Sequence, residues 1–223
     1  MSVAQRRPIC SRALLPAGLA LGLLLVLALD RPLLQLLLWS GKPPKSDLLL
    51  LLRVWGSLWL WLGIAFTAGL LEWRRVRRKL DGTLERVGVL LLSPLAGGLV
   101  AEALKLVVRR ERPSDLDAYL FRSWLERPWS TSGLGLPSSH AAVAFAGSAA
   151  LGLLYPELRW PAVLMALGCG FTRVASGAHY PSDVLAAALV GVLCAMLVSK
   201  RLVPQLRPRL VSWLRRLEQP AEH

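Results

Sequence analysis

A chain of 223 residues in which 54% are hydrophobic and only 18% charged is too apolar for one or two soluble domains. Its leucine-rich runs approach the roughly 20 apolar residues that a helix needs to cross a lipid core, so the sequence reads as an integral membrane protein. The net charge of +13 lies between apolar segments, not along a soluble face with interleaved aromatics, which argues against nucleic acid and for anionic headgroups or an anionic substrate as partners.

Six spans are predicted, over residues 13–29, 48–71, 87–108, 139–154, 160–174 and 182–200, within one membrane-embedded domain covering 1–223. The first follows Arg6, Arg7 and Arg12, which mimic the charged start of a signal peptide. No small-x-small cleavage pattern follows it, and the run stops at Asp30-Arg31-Pro32, so it reads as a retained span and not as a twin-arginine signal. Leu33 to Leu38, closed by Trp39 and followed by Gly41-Lys42-Pro43-Pro44, is either a lipid-surface helix and turn or an extension of the first span. Arg53 falls inside the second span and is expected to snorkel or pair locally. The fourth and fifth spans are long enough only if their polar flanks are helical too. Residues 201–223 form a basic tail, read first as an amphipathic helix on headgroups. No alternating strand pattern occurs, so the fold class is all-α. Most of the nine tryptophans, among them Trp39, Trp73, Trp124, Trp129 and Trp160, suit an aromatic belt. Cys10, Cys169 and Cys194 are odd in number and lack metal-ligand spacing, which predicts neither disulfide nor zinc.

Lys and Arg gather on the side of the N-terminus, the loop from Trp73 to Arg86 and the C-terminal tail. That places both termini in the cytoplasm. The basic loop from Lys105 to Arg127 and the two internal histidines, His140 and His179, then open on the opposite, outward face; the third, His223, is terminal and is assigned no role.

Three stretches on that face carry chemistry. Lys105 and Arg112 are seven residues apart, two turns on one face if the helix persists, until Pro113 turns the chain away. They are either anion ligands or a snorkelling cuff, and Arg109, Arg110, Arg122 and Arg127 are read as cuff or lipid contacts. Pro137-Ser138-Ser139-His140 reads as a turn into a helix whose free amides suit an anion, or as an ordinary serine cap beside an interfacial histidine. Arg173, His179 and Asp183 offer a guanidinium fork and an imidazole whose tautomer a carboxylate at i+4 can fix, or else a structural ion pair on the last span.

In order and spacing, Lys105-x6-Arg112-Pro113, Pro137-Ser138-Ser139-His140 and Arg173-x5-His179-x3-Asp183 resemble the three-part signature of the type 2 phosphatidic acid phosphatase superfamily of membrane lipid phosphatases. Ser139 stands where that family usually has Gly, and Thr172 where Ser commonly precedes the arginine. The resemblance implies a bundle of six transmembrane helices with its active site at the non-cytoplasmic interface of a bacterial inner membrane. It implies hydrolysis of a lipid phosphate or diphosphate, undecaprenyl pyrophosphate first and a phosphatidyl phosphate next, through a phosphohistidine on His179. Asp183 would orient His179, and His140 would serve as acid and base. Lys105, Arg112, Ser138, Ser139 and Arg173 would bind the phosphate, with no metal and no cofactor. Transfer of the phosphoryl group to a lipid or sugar alcohol, or a non-enzymatic anion transporter using Glu102, are the alternatives.

Overall fold

The computed structural model describes residues 10–41, 46–75, 80–114 and 119–218. Arg6, Arg7, Lys42, Pro43, Pro44 and His223, and residues 76–79 of the loop from Trp73 to Arg86, all used in the sequence reading, lie outside the described residues. The described residues form helices α1 (Cys10–Ala28), α2 (Asp30–Leu37), α3 (Asp47–Val54), α4 (Leu58–Arg75), α5 (Leu80–Val108), α6 (Ser139–Leu154), α7 (Arg159–Ala175), α8 (Pro181–Leu197) and α9 (Val203–Glu218). There is no strand among them. Two isolated bridges, Arg110 with Phe121 and Glu111 with Leu134, pin the long loop between α5 and α6.

By length and composition, Gly82–Val108 and Pro181–Trp213 can each cross a membrane, and up to four such spans exist if two bent pairs each count as one. Ser139–Leu154 is apolar but shorter. The second predicted span, 48–71, is broken: α3 and α4 meet at 76°. The corner at Gly56 packs on the first turn of α6, where a Cβ would stand 2.6 Å from the His140 carbonyl oxygen. The Trp61 indole N–H donates to the Trp55 carbonyl at 2.9 Å and holds the bend. The first apolar run does not extend smoothly either; α2 leaves α1 at 67°, turning the carboxylate of Asp30 into the protein, where it is fully buried. At the other end, α8 continues through a π turn, Val198–Leu202, into α9, past the predicted limit at residue 200. The tail packs back on the bundle there, since Arg207 donates to Glu85 of α5 at 2.6 Å.

Helix α6 is the centre of the bundle because its residues are small. Ala142, Ala146, Gly147 and Ala150 are buried, and glycines on both neighbours meet them. A Cβ on Gly97 of α5 would lie 2.8 Å from Ala146 Cβ, and one on Gly191 of α8 would lie 2.6 Å from the Ala142 carbonyl oxygen. Small residues let backbones approach closely, which in lipid substitutes for the missing hydrophobic drive between helices. Two tryptophans depart from the belt pattern: Trp61 is fully buried against Gly147. The Trp55 indole N–H donates to Ser148 Oγ at 2.8 Å, and Ser148 donates to the Ala162 carbonyl at 2.8 Å, which ties α6 to α7.

Candidate active site

Helix α5 ends after Val108 because Arg109 takes φ 59°, a left-handed conformation that cannot continue an α-helix. The expected alignment of Lys105 and Arg112 along one helical face therefore does not form. Lys105 stays in the last turn, buried, and donates to Glu102 at 2.9 Å. Arg112 is carried by the loop instead, with its backbone N–H on the Gly133 carbonyl at 3.0 Å and its side chain exposed.

Three of the four arginines read as cuff residues are internal supports. Arg109 is 1% exposed and donates to the carbonyls of Arg122, Ser123, Glu126 and Pro128, so the loop wraps around its guanidinium. Arg122 pairs with Glu111 at 3.0 Å and donates to the Ser132 carbonyl at 2.8 Å. Arg110 is 1% exposed and binds two buried carboxylates, Asp30 at 2.7 Å and Asp183 at 3.2 Å. A guanidinium has five donors in a fixed fork, and carbonyls and carboxylates inside the fold use them here in place of lipid headgroups. Arg127 remains at the surface.

The second motif enters α6. The Ser138 hydroxyl makes no capping bond; its backbone N–H donates to the Asp183 carbonyl at 3.1 Å, joining the second motif to the third. Ser139 Oγ donates to Glu102, which also receives Lys105 and so couples the first motif to the second. Glu102 is thus part of this cluster and not a mid-span charge. His140 lies at its exposed edge.

The third motif crosses from α7 to α8. Arg173 ends α7, and its carbonyl accepts the N–H groups of Ala178 and His179 at 3.1 and 3.2 Å. Gly177, at φ 68°, makes that tight return possible. His179 precedes α8, so it does not share a helical face with Asp183. The two meet because Asp183, at the third position of α8, reaches back as in a capping box: its Oδ2 accepts the Tyr180 N–H at 2.9 Å and faces His179 Nδ1 at 3.5 Å. Burial holds the His179 imidazole below the ordinary histidine range; Asp183 opposes that, and Arg173 and Arg112 add to it.

Residues from all three motifs act on one another electrostatically. His140 is within electrostatic reach of Arg173, Arg53, His179 and Lys105. Among the described residues, four buried side-chain polar atoms lie beyond hydrogen-bond distance of any partner; two of them are Ser138 Oγ and Arg173 Nε, and a third, His179 Nδ1, has the Asp183 carboxylate at 3.5 Å. Such atoms cost stability inside a protein, which makes their concentration in two motifs a feature of the site and not of the fold. No three His, Cys, Asp or Glu among the described residues are grouped to hold a metal ion. A groove of about 520 Å³ leads away from Glu102, Ser139 and His140 along Leu58, Trp59, Leu95, Leu99 and Val143.

The motifs do not announce Asp30, Arg110, Ser182 or Arg53. An aspartate next to an apolar run was the available signal for Asp30, because such a charge needs a partner. Arg53 sits on α3, and its charge acts on both His140 and Arg173.

Comparison with known proteins matches residues 86–207, more than half of the chain, to the family model described as the PAP2 superfamily. Over 110 residues the chain is 34% identical to a lipid A 1-phosphatase of Rhizobium johnstonii, covering 49% of this chain and 45% of that protein. Over 161 residues it is 27% identical to an undecaprenyl-diphosphatase of Sulfolobus acidocaldarius, covering 71% of each. The chain spans about half the length of the Rhizobium relatives it matches. In fold it is similar to the crystal structure of Aquifex aeolicus LpxE, with a TM-score of 0.51 and 23% identity over 77% of this chain and 95% of that one. From its motifs, its helical frame and the match over 86–207, the chain belongs to the PAP2 superfamily.

Proposed function

We propose that the protein is a membrane lipid phosphatase that hydrolyses a lipid phosphate or diphosphate through a phosphohistidine. The observation that carries this reading is the pair of unpartnered buried atoms Ser138 Oγ and Arg173 Nε in the two motifs that bring His140 and His179, with Lys105 and Arg112 in electrostatic reach of those imidazoles. Together they suit a tetrahedral oxyanion beside an imidazole.

In this scheme His179 attacks phosphorus through its Nε2, forming a P–N bond while the bond to the leaving oxygen breaks. Its Nδ1 faces Asp183, which fixes the tautomer and stabilises the imidazolium that results. His140 protonates the leaving oxygen and then takes a proton from the water that cleaves the P–N bond. Lys105, Arg112, Arg173, Ser138 and the amides at Ser139 hold the equatorial oxygens, whose charge must be met during transfer. Glu102 positions Lys105 and Ser139. The groove beside His140 takes the apolar tail, so the phosphate enters from water and the chain from lipid. The additional positive charge of Arg53 favours a diphosphate over a monophosphate. That agrees with the undecaprenyl-diphosphatase name of the Sulfolobus relative.

The same reading makes the chain a six-crossing inner-membrane protein with both termini cytoplasmic and the site facing outward. The bent pairs α1–α2 and α3–α4 supply two crossings, and α5, α6, α7 and α8 supply the others. The decisive experiment is phosphate release by the purified protein in detergent, comparing a prenyl diphosphate, phosphatidylglycerol phosphate and phosphatidate, with His179→Ala as blank. Activity is expected to survive excess chelator and to vanish in the blank. Equal release by His179→Ala removes the nucleophile and the scheme with it.

A further inference from the structure

Behind His179 lies a buried charge cluster that joins Asp183 of the third motif to three residues the motifs do not name, Asp30, Arg110 and Ser182. Arg110 donates to Asp183 Oδ1 at 3.2 Å, to Asp30 Oδ2 at 2.7 Å and to Ser182 Oγ at 2.7 Å. Its guanidinium lies 4.3 Å from the Tyr180 ring centroid. Asp30 in turn accepts the Ser182 backbone N–H at 2.9 Å and the Ser182 hydroxyl. It therefore caps the first turn of α8 from another helix, as Asp183 does from within α8. Asp30, Ser182 and Asp183 are each 0% exposed.

Buried charges are stable only when their sum is balanced by what surrounds them. Asp30 and Asp183 both bind the guanidinium of Arg110, and Arg31 also acts on Tyr180 beside them. Because Arg110 is shared, Asp183 keeps part of its negative charge for the ring that faces it at 3.5 Å. That charge favours the imidazolium formed when His179 bonds to phosphorus over the resting, neutral ring.

Resting on the phosphatase reading above, we propose that Asp30 and Arg110 are positioning residues that set the net charge Asp183 presents to His179. Asp30 draws Arg110 away from Asp183 and so keeps one negative charge available to the nucleophile. Arg110 limits that charge, because an unshared Asp183 carboxylate favours the protonated ring, which cannot attack. The effect is differential, stronger in the transition state than in the ground state, and so falls on turnover and not on substrate binding. His179 also faces Arg173 from α7, Arg112 from the loop after α5, and His140 from α6; the cluster adjusts its titration against those fixed neighbours.

The variants Asp30→Asn, Arg110→Gln and the double variant separate this from a purely structural role. Two measurements are made on the full-length protein in detergent: carbon-13 NMR titration of His179, assigned with His179→Ala, and kcat and KM for phosphate release from a short-chain prenyl diphosphate. Asp30→Asn, which removes one negative charge, is expected to titrate His179 at lower pH. Arg110→Gln, which removes one positive charge, is expected to titrate it at higher pH and to move the acid limb of the rate profile upward. Each single variant loses kcat by about tenfold to a hundredfold with little change in KM, as outer partners of a site residue do. The double variant restores the original net charge and recovers part of the titration and part of kcat. Shifts in the same direction, changes confined to KM, or a double variant worse than either single overturn the proposal. If Arg110→Gln does not fold, Asp30→Asn alone decides, because it is isosteric and its titration must fall. A wild-type protein that releases no phosphate but shows the opposed titrations refutes the phosphatase reading and keeps the charge balance.

Discussion

Replacing Asp183 by Asn tests the chemistry assigned to His179 most directly. The substitution keeps the shape and an oxygen for the Tyr180 N–H, so the start of α8 survives while the charge is lost. Unit charges separated by the 3.5 Å between Asp183 Oδ2 and His179 Nδ1 interact by about 5 kcal/mol at an effective dielectric of about 20. Arg110 shares the carboxylate at 3.2 Å, which leaves about half of that energy, roughly 2–3 kcal/mol, for the imidazolium. Turnover should therefore fall about a hundredfold, with KM unchanged because Asp183 has no contact with the phosphate in this scheme. Rapid-quench measurement of phosphohistidine formation should place the whole loss in the first chemical step. An Asp183→Asn protein that forms the intermediate at the wild-type rate refutes the pairing.

Other consequences are accessible to simpler measurements. Gly191→Ala would push a Cβ to 2.6 Å from the Ala142 carbonyl oxygen and 2.8 Å from the Ala146 nitrogen, backbone atoms that cannot yield. It should destabilise by about 1–3 kcal/mol, read as a lower thermal midpoint in detergent, whereas Gly63→Ala, with nothing within 4 Å, should lower nothing. Equal midpoints would show that α6 and α8 do not pack backbone to backbone. Arg53→Gln should raise KM for a prenyl diphosphate more than for a lipid monophosphate; equal changes would remove Arg53 from substrate selection. In the wild-type protein, His179 should titrate below the ordinary value of about 6.5, because burial disfavours its charged form more than Asp183 restores it. Its neutral form, the nucleophile, then persists as pH falls through that value, and an NMR titration above it would reverse this sign.

Much of the site was legible because its groups are rare in an apolar chain. Two internal histidines, a proline-flanked basic loop and a serine pair at a helix start stand out against leucine, and the fold brings His140 within electrostatic reach of His179, Arg173 and Lys105. What escaped was long-range. The pattern of charges cannot tell a snorkelling arginine from an internal one, since both follow an apolar run; Arg109 and Arg110 differ from a cuff only through partners far along the chain. Apolar runs likewise do not mark where a helix bends. The break at Gly56 depends on the close approach of the His140 carbonyl, and that at Asp30 on a carboxylate drawn inward. The reach of the tail was hidden for the same reason, as Arg207 finds Glu85 on a helix made long before it.

The bond between Asp30 and Ser182 has a consequence for biosynthesis. Ser182 is made 152 residues after Asp30, so a nascent chain still on the ribosome lacks the amide and hydroxyl that complete the cluster, and lacks His179 with them. In the phosphatase scheme proposed above, competence therefore arrives only as α8 is threaded into place.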